Sequence, residues 1–376
     1  MKIHLKFNHF LKKGVLLLGL PLLLLMSCKG EDYEQETGFI DVKRVGGVTV
    51  DQDSEMLAML FPGLQVSDEL DIAYGVDLRS ERAYQLSLIT GDVQFLAPQG
   101  RGPGELARPA QIYMKDDTHL FIYDSNMNTI AEYNNGSILN KYPAYSQHNV
   151  WVRGYTGYYH NGTIIIGIDD YTNVQNMDFD NVKPIAFLDF SNEQLTKKGE
   201  FSPTVDQIDA DEKFPVIHFD ENLRTVFYVF STDYTVMGYH IDENNTMIKS
   251  SYKPTDVRIR SVEIRGSTFG DIEAAKALGL DRSKVIGIDR IGDQLVVIWQ
   301  NFNEGFYDNM GDYSAGNVDY FGVMYDLPNL ENPREFTLPG RFFGTYKNKL
   351  LIEEEYGSMD LKIGFYELKH TGESSP

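Results

Sequence analysis

Short apolar runs recur along the chain, each behind a polar turn. They are Asp71–Gly75, Leu120–Tyr123, Thr163–Ile168, Val226–Phe230, Leu295–Trp299 and Leu350–Ile352. Runs of this length, rich in β-branched and aromatic residues, read as strands buried on both faces. A second run follows each one: Tyr84–Ile89, Thr129–Tyr133, Pro184–Phe190, Thr235–Ile241, Tyr320–Leu327 and Leu361–Leu368. Five of these lead to a weaker third strand, at Val93–Leu96, Ile138–Tyr142, Leu195–Phe201, Met247–Tyr252 and Arg334–Leu338. The turns between runs carry Gly, Asn and Asp, as at Asn161-Gly162, Gly292-Asp293 and Asn134–Gly136. Those residues tolerate the positive φ that tight hairpins need. Antiparallel hairpins at comparable spacing argue for the blades of a propeller, not a βαβ sheet.

The repeat leaves one vacancy, because the last pair lacks an outer strand. Phe39–Val45 alternates apolar and polar residues and is expected to fill it by pairing with Leu361–Leu368, which would remove both exposed edges. Gly270–Gly279 breaks the strand rhythm and predicts one short inserted helix, capped by Asp271 and ended by Gly279. The expected fold is an all-β, six-bladed propeller over residues 39–370. An acidic tether (28–38) precedes it and a disordered tail (371–376) follows.

The N-terminus reads as a targeting segment, residues 1–27. Lys2, Lys6, Lys12 and Lys13 precede the apolar run Val15–Met26, which is too short to span a bilayer. Leu25-Met26-Ser27-Cys28 follows and looks like a bacterial lipobox. Cys28 is the only cysteine of the 376 residues, so no intramolecular disulfide can form. Cys28 is therefore expected to carry a lipid that holds the protein at the outer membrane, on the periplasmic or the cell-surface side.

Composition narrows the partners. The formal charge is −21, and it becomes four units more negative once the leader's lysines are removed. Such a chain repels phosphate backbones, so nucleic acid is not an expected partner. Aromatics are abundant, with 23 Tyr and 22 Phe.

Gly100–Tyr133 is the clearest repeat. Asp124-Ser125-Asn126-Met127-Asn128-Thr129-Ile130 looks like an NHL-type repeat, in which a strong strand ends in Asp and an Asn-rich turn leads on. Gly100-Arg101-Gly102-Pro103-Gly104-Glu105 is similar to the loop that enters such repeats. With the lipobox, the chain resembles the TolB-like six-bladed propeller lipoproteins of Bacteroidetes-type bacteria. That resemblance implies a fold and an envelope address, and it brings no catalytic residues with it.

Motifs for chemistry are sparse. The glycines of Gly100–Gly104 lead into a strand, whereas a dinucleotide fingerprint needs a helix there. Asp124, Asn126 and Asn128 match the first ligand positions of an EF-hand loop, but Thr129 stands where Gly is needed and Asn135 where Glu is needed. No His-Glu-x-x-His or Gly-x-Ser-x-Gly motif is present. No cofactor, metal or catalytic residue is therefore expected. The alternative is a calcium-dependent hydrolase, its ion held by a ring from Asp77, Asp124, Asp169, Asn301 and Glu353 at the ends of the strong strands.

The expected ligand site is the end of the propeller where the long connections gather. Those connections carry Asp169, Asp170 and Tyr171, then Arg258 and Arg260, then Phe306, Tyr307 and Tyr313. Arg101, with Asp124 and Asn126, completes the candidate set. Carboxylates beside exposed aromatics suit a glycan or an envelope protein partner.

Overall fold

The computed structural model describes residues 38–50, 63–77, 79–144, 151–169, 181–189, 192–202, 214–259, 272–309, 311–314, 316–356 and 360–370. The chain is almost entirely β. It enters through β1 (Gly38–Thr49) and then builds four separate four-stranded sheets. The first is β2 (Gln65–Ser67), β3 (Ile72–Asp77), β4 (Arg82–Ser87) and β5 (Val93–Phe95). The second is β6 (Pro109–Met114), β7 (His119–Asp124), β8 (Thr129–Asn134) and β9 (Ser137–Pro143). The third is β10 (Trp151–His160), β11 (Thr163–Asp169), β12 (Ile185–Asp189) and β13 (Gln194–Lys198). The fourth is β14 (Pro215–Asp220), β15 (Thr225–Phe230), β16 (Val236–His240) and β17 (Asn245–Ser250).

An eight-stranded sheet completes the fold. It holds β18 (Ser283–Ile291), β19 (Gln294–Phe302), β20 (Val318–Asp326), β21 (Glu331–Leu338), β22 (Arg341–Tyr346), β23 (Lys349–Glu353) and β24 (Lys362–His370), with β1 between β21 and β24. β1 runs antiparallel to β24 from Ile40↔His370 to Thr49↔Lys362. It touches β21 in parallel at Gly38 and Phe39 alone. The N-terminal strand thus lies against the C-terminal one, as the vacant outer position predicted. Arg44 fixes the pairing through its ion pair with Glu354, which Tyr366 also reaches.

The arrangement is propeller-like. The first strand of every four-stranded set touches the first strand of the next, and β22 returns to β2. Among the described residues, buried apolar side chains form six clusters, each between two neighbouring sets. The innermost strands crowd together at the axis, and two glycines there explain how. A side-chain carbon on Gly157 would lie 2.4 Å from the Tyr113 ring, and one on Gly287 would lie 2.4 Å from Phe342. Register shifts at Val152/Gly157, Val285/Gly287 and Phe342/Gly344 bend the same strands.

Tight turns close one end. Asn161-Gly162 and Asn135-Gly136 have positive φ at both positions, the type I′ geometry their sequences call for. Lys347-Asn348 does the same without a glycine, and its backbone is held by Lys347 N–H donating to Asp68 Oδ1 at 2.9 Å. The opposite end carries the long connections. Among the described residues two helices lie there: α1 (Ile272–Leu280), which the sequence predicted, and α2 (Glu304–Asp308), which it did not. Among the described residues no helix is long and apolar enough to cross a membrane.

Candidate functional site

At the long-loop end, two connections converge on the set formed by β18–β21. One passes through residues 255–258 between β17 and α1, and the other joins β19 to β20. A cavity of about 540 Å³ lies between them, lined by Thr255, Asp256, Arg258, Asn301, Asp319 and Tyr320 among others. Its walls are fixed. The Arg258 guanidinium donates to the carbonyls of Leu280 and Phe302, at 3.2 and 2.8 Å, and to Asn303 Oδ1 at 3.1 Å. Asn301 Nδ2 donates to the Asp256 carbonyl at 2.9 Å. Asn303 Nδ2 donates to Asp319 Oδ2 at 3.0 Å. The Asp256 and Asp319 side chains stand exposed at the rim and give the opening a negative character.

Beside it, the three predicted aromatics gather on the end of β19. Phe302 stacks on Phe306 at 4.2 Å between ring centroids and meets Tyr307 and Tyr313 edge-on near 6 Å. Phe306 and Tyr313 are 5.0 Å apart, and Tyr356 adds to Tyr313 at 5.2 Å. The rings are half-buried and packed on the apolar cluster between the last two sets, so they are held in place before any ligand arrives. Gly279 makes this possible: a side-chain carbon there would collide with the Tyr307 hydroxyl.

Next to Tyr313, Arg341 opens β22 and Glu353 closes β23, directly opposite one another in register. They are only 6% and 7% exposed. Arg341 Cζ lies 4.8 Å above the Tyr313 ring. Burial pushes the Glu353 carboxyl up to about 7, with the Arg341 charge pulling the other way. Neither Arg341 nor the role of Glu353 beside it was legible from spacing, since the two are twelve residues apart on different strands.

The remaining candidates have other employment. Asp124 is fully buried, and its carboxylate accepts N–H groups from Ala107, Arg108, Asn126 and Met127 at 2.6–3.2 Å. It ties the entry of β6 to the turn after β7, and presents no free face to a ligand. Asn126 is exposed in that turn. Arg101 is exposed on the glycine-rich loop, which folds on itself. Gly102 N–H donates to Glu105 Oε2 at 2.7 Å, and Lys141 Nζ donates to the carbonyls of Gly102 and Glu105. The loop is thus held by its own Glu105 and by Lys141 from β9. Asp169 is 1% exposed at the end of β11. Cys28, Asp170, Tyr171 and Arg260 lie outside the described residues.

The calcium ring does not assemble from these strand ends. They belong to the second strand of each set, one step out from the axis. Asp77 Oδ1 accepts the Arg79 and Ser80 N–H groups, Asp124 is occupied as described, and Asn301 Oδ1 takes the Ser283 hydroxyl. Among the described residues no three His, Cys, Asp or Glu side chains come together to hold a metal ion.

The axis itself holds a smaller cavity of about 230 Å³, lined by Gln65, Met114, Tyr158, Asp289, Phe342 and Thr345 among others. Asp289 accepts from the Thr345 hydroxyl at 2.8 Å and meets His218 Nδ1 at 3.3 Å, and the Tyr158 hydroxyl is 3.2 Å from the same nitrogen. Burial and the Asp289 charge push the Tyr158 phenol well up. This polar belt was hidden in the sequence because its residues come from β10, β14, β18 and β22, far apart in the chain.

No protein-family model matches the chain, and no curated protein sequence does. Solved structures do. A member of the DUF4221 family from Bacteroides vulgatus aligns over 89% of this chain and 100% of that one, with a TM-score of 0.71 at 9% identity. A protein assigned as exported from Bacteroides fragilis aligns over 87% of this chain and 95% of that one, with a TM-score of 0.54 at 12% identity. A calcium-binding regucalcin from Agrobacterium tumefaciens is more distant, at 0.47 and 13% identity over 87% of this chain and 97% of that one. At these identities the likeness concerns the β-propeller fold alone.

Proposed function

We propose that this chain is a cell-envelope lipoprotein whose six-bladed propeller is a binding or scaffolding module, not an enzyme. Its ligand, a glycan or an envelope protein, docks at the long-loop end. One observation carries the reading. The two long connections over β18–β21 are braced by Arg258, Asn301 and Asn303 so that they hold open a cavity of about 540 Å³ rimmed by Asp256 and Asp319. A rigid concave site with a few convergent polar groups is what ligand recognition needs. The negative rim favours hydroxyl donors or basic side chains.

Six blades is the simplest count, because the eight-stranded sheet divides into two ordinary sets at the two-residue contact of β1 with β21. The TolB-like, NHL-like character rests on the Gly100–Tyr133 repeat. The lipid anchor rests on Leu25-Met26-Ser27-Cys28 behind its apolar run.

The binding test replaces Asp256 and Asp319 together by Ala, and screens both proteins against a glycan array and a basic peptide library. Wild type should retain ligands that the variant loses at unchanged melting temperature. Equal binding by both would remove the function from this cavity. For the anchor, Cys28→Ser should move the protein from the detergent phase to the aqueous phase. Unchanged partitioning would refute the lipoprotein.

A further inference from the structure

We infer that Glu353, Arg341, Tyr313 and Tyr356 form a subsite for an uncharged, hydroxyl-rich ring, one sugar residue of a neutral glycan, at the long-loop end of the last set. This rests on the reading that the long-loop end is the binding end, and it names the ligand class there.

The first observation is the state of Glu353. Its Oε2 is buried with no hydrogen-bond partner among the described residues. A buried carboxylate oxygen without a donor is costly, and proteins keep such groups where something else completes them. The backbone that carries it is tightly packed. The backbone of Gly340 packs so close to the Glu353 carbonyl that a side-chain carbon would sit 2.0 Å from it. The entry to β22 is therefore locked against the exit of β23.

The surroundings decide the ligand's charge. The charged and titratable groups around Glu353 are Arg341 from β22, Tyr320 from β20 and Tyr356 just after β23, with Tyr313 beyond them against Arg341 and Tyr356. Next along the chain, Glu354 turns to Arg44 and Tyr366 instead. A cationic ligand would meet Arg341, and an anionic one would meet Glu353. A neutral hydroxyl donor meets neither obstacle and can donate to the Glu353 carboxylate at its other oxygen.

The third observation is the aromatic wall. Tyr313 and Tyr356 are half-exposed, and their rings meet at 61°. Their hydroxyls make no hydrogen bond among the described residues, while Tyr313 is pinned through its carbonyl by the Tyr320 hydroxyl at 3.3 Å. Two fixed ring faces with free hydroxyls at the tips offer an apolar platform and polar ends together. The C–H face of a sugar ring packs on such a platform while its hydroxyls reach outward.

The experiment uses the full chain and a panel of neutral trisaccharides built from glucose, galactose, mannose or N-acetylglucosamine. Saturation-transfer NMR and titration calorimetry are run at pH 6 and pH 8. At least one trisaccharide should bind wild type, and more tightly at pH 8, where the carboxylate is ionised and accepts. Glu353→Gln should weaken it roughly tenfold or more at pH 8 and flatten the pH dependence. Tyr356→Phe, which removes one hydroxyl and keeps the ring, should weaken it less than Tyr356→Ala. No binding by any of the panel overturns the subsite, and so does binding that Glu353→Gln leaves intact in a folded protein. The Asp256/Asp319 variant separates the two readings. If it alone loses a trisaccharide, the long-loop end binds but the subsite is misplaced.

Discussion

Asp124 and Glu353 both end a strong strand, and the chain treats them in opposite ways. Asp124 is surrounded by four backbone N–H donors, so its charge is spent on architecture. Asp124→Ala strands those donors in a buried place and should lower stability by about 2–4 kcal/mol. A urea midpoint unchanged from wild type would show that the donors find other acceptors. Glu353 has no such set. Burial raises its pKa to about 7, so the folded chain binds that proton more tightly than the unfolded chain does. Stability is therefore highest below the ordinary carboxylate range and is lost as pH rises through it towards 7. Full ionisation costs on the order of 3 kcal/mol by the linkage of pKa to stability. Because Arg341's favourable pull is already included in that raised value, a neutral side chain is preferred even beside it. Glu353→Gln should thus melt higher than wild type at pH 8 and at the same temperature near pH 4.5. Parallel melting curves at both pH values would contradict the assignment. The sequence shows both acids at a strand end and cannot tell them apart. What separates them is whether a neighbouring backbone turns its N–H groups inward, a property of the turn and not of the residue.

Among the elements, β1 has the most to do for its length. It supplies the outer strand that the C-terminal hairpin lacks, and its Ile40 and Val48 are buried, as is Val50 just after it. Deleting residues 29–46 removes the Ile40 end of the strand, the Arg44–Glu354 pair and most of the register with β24. The loss should be at least about 4 kcal/mol from apolar burial and the opened edge together. A melting temperature equal to that of the full chain would mean that β1 does not close the fold. This closure was legible in advance, because five outer strands for six hairpins leave a countable gap. The second and third strands of each set were legible too, since burial on both faces writes a continuous apolar run. The innermost strands were harder to read. Their residues face the axis or the next innermost strand, so Gly157, Gly287 and Gly344 and the polar belt of Tyr158, His218 and Asp289 interrupt the pattern. Helix α2 was missed for another reason. Five residues carry too little periodicity, and Phe306 and Tyr307 owe their place to Phe302 and not to helix propensity. The candidate site was legible as a set of long loops, whereas its depth and its bracing by Arg258 depend on segments far apart in sequence, and the placing of Arg341 opposite Glu353 depends on the register of the β22–β23 hairpin.

For the whole molecule, the direction of β1 fixes the end at which the chain enters the propeller. β1 ends at Thr49 on the long-loop end, where Val50 N–H donates to the Leu361 carbonyl at 2.8 Å. It therefore begins, at Gly38, on the end closed by tight turns. The proposed lipid on Cys28, which precedes Gly38 in the chain, predicts that the turn end lies nearer the bilayer than the long-loop end. The charge of the turn end is consistent with a stand-off from anionic lipid, because Asp68, Asp116, Asp117, Glu221, Asp242, Glu243 and Asp293 all sit in its turns. The folded part contains no cysteine, so single thiols can report on each end. Glu243 and Asn309 are both exposed, the first in the β16–β17 turn and the second just after α2. We would label Glu243→Cys and Asn309→Cys separately in lipidated protein on vesicles carrying a headgroup quencher. The Glu243 position should be quenched more strongly, and more so as salt screens the turn-end acids. Cys28→Ser should abolish the difference by releasing the protein. Stronger quenching at Asn309 would mean that the long-loop end faces the membrane, and a glycan or protein partner would then have to be sought in the lipid headgroup layer.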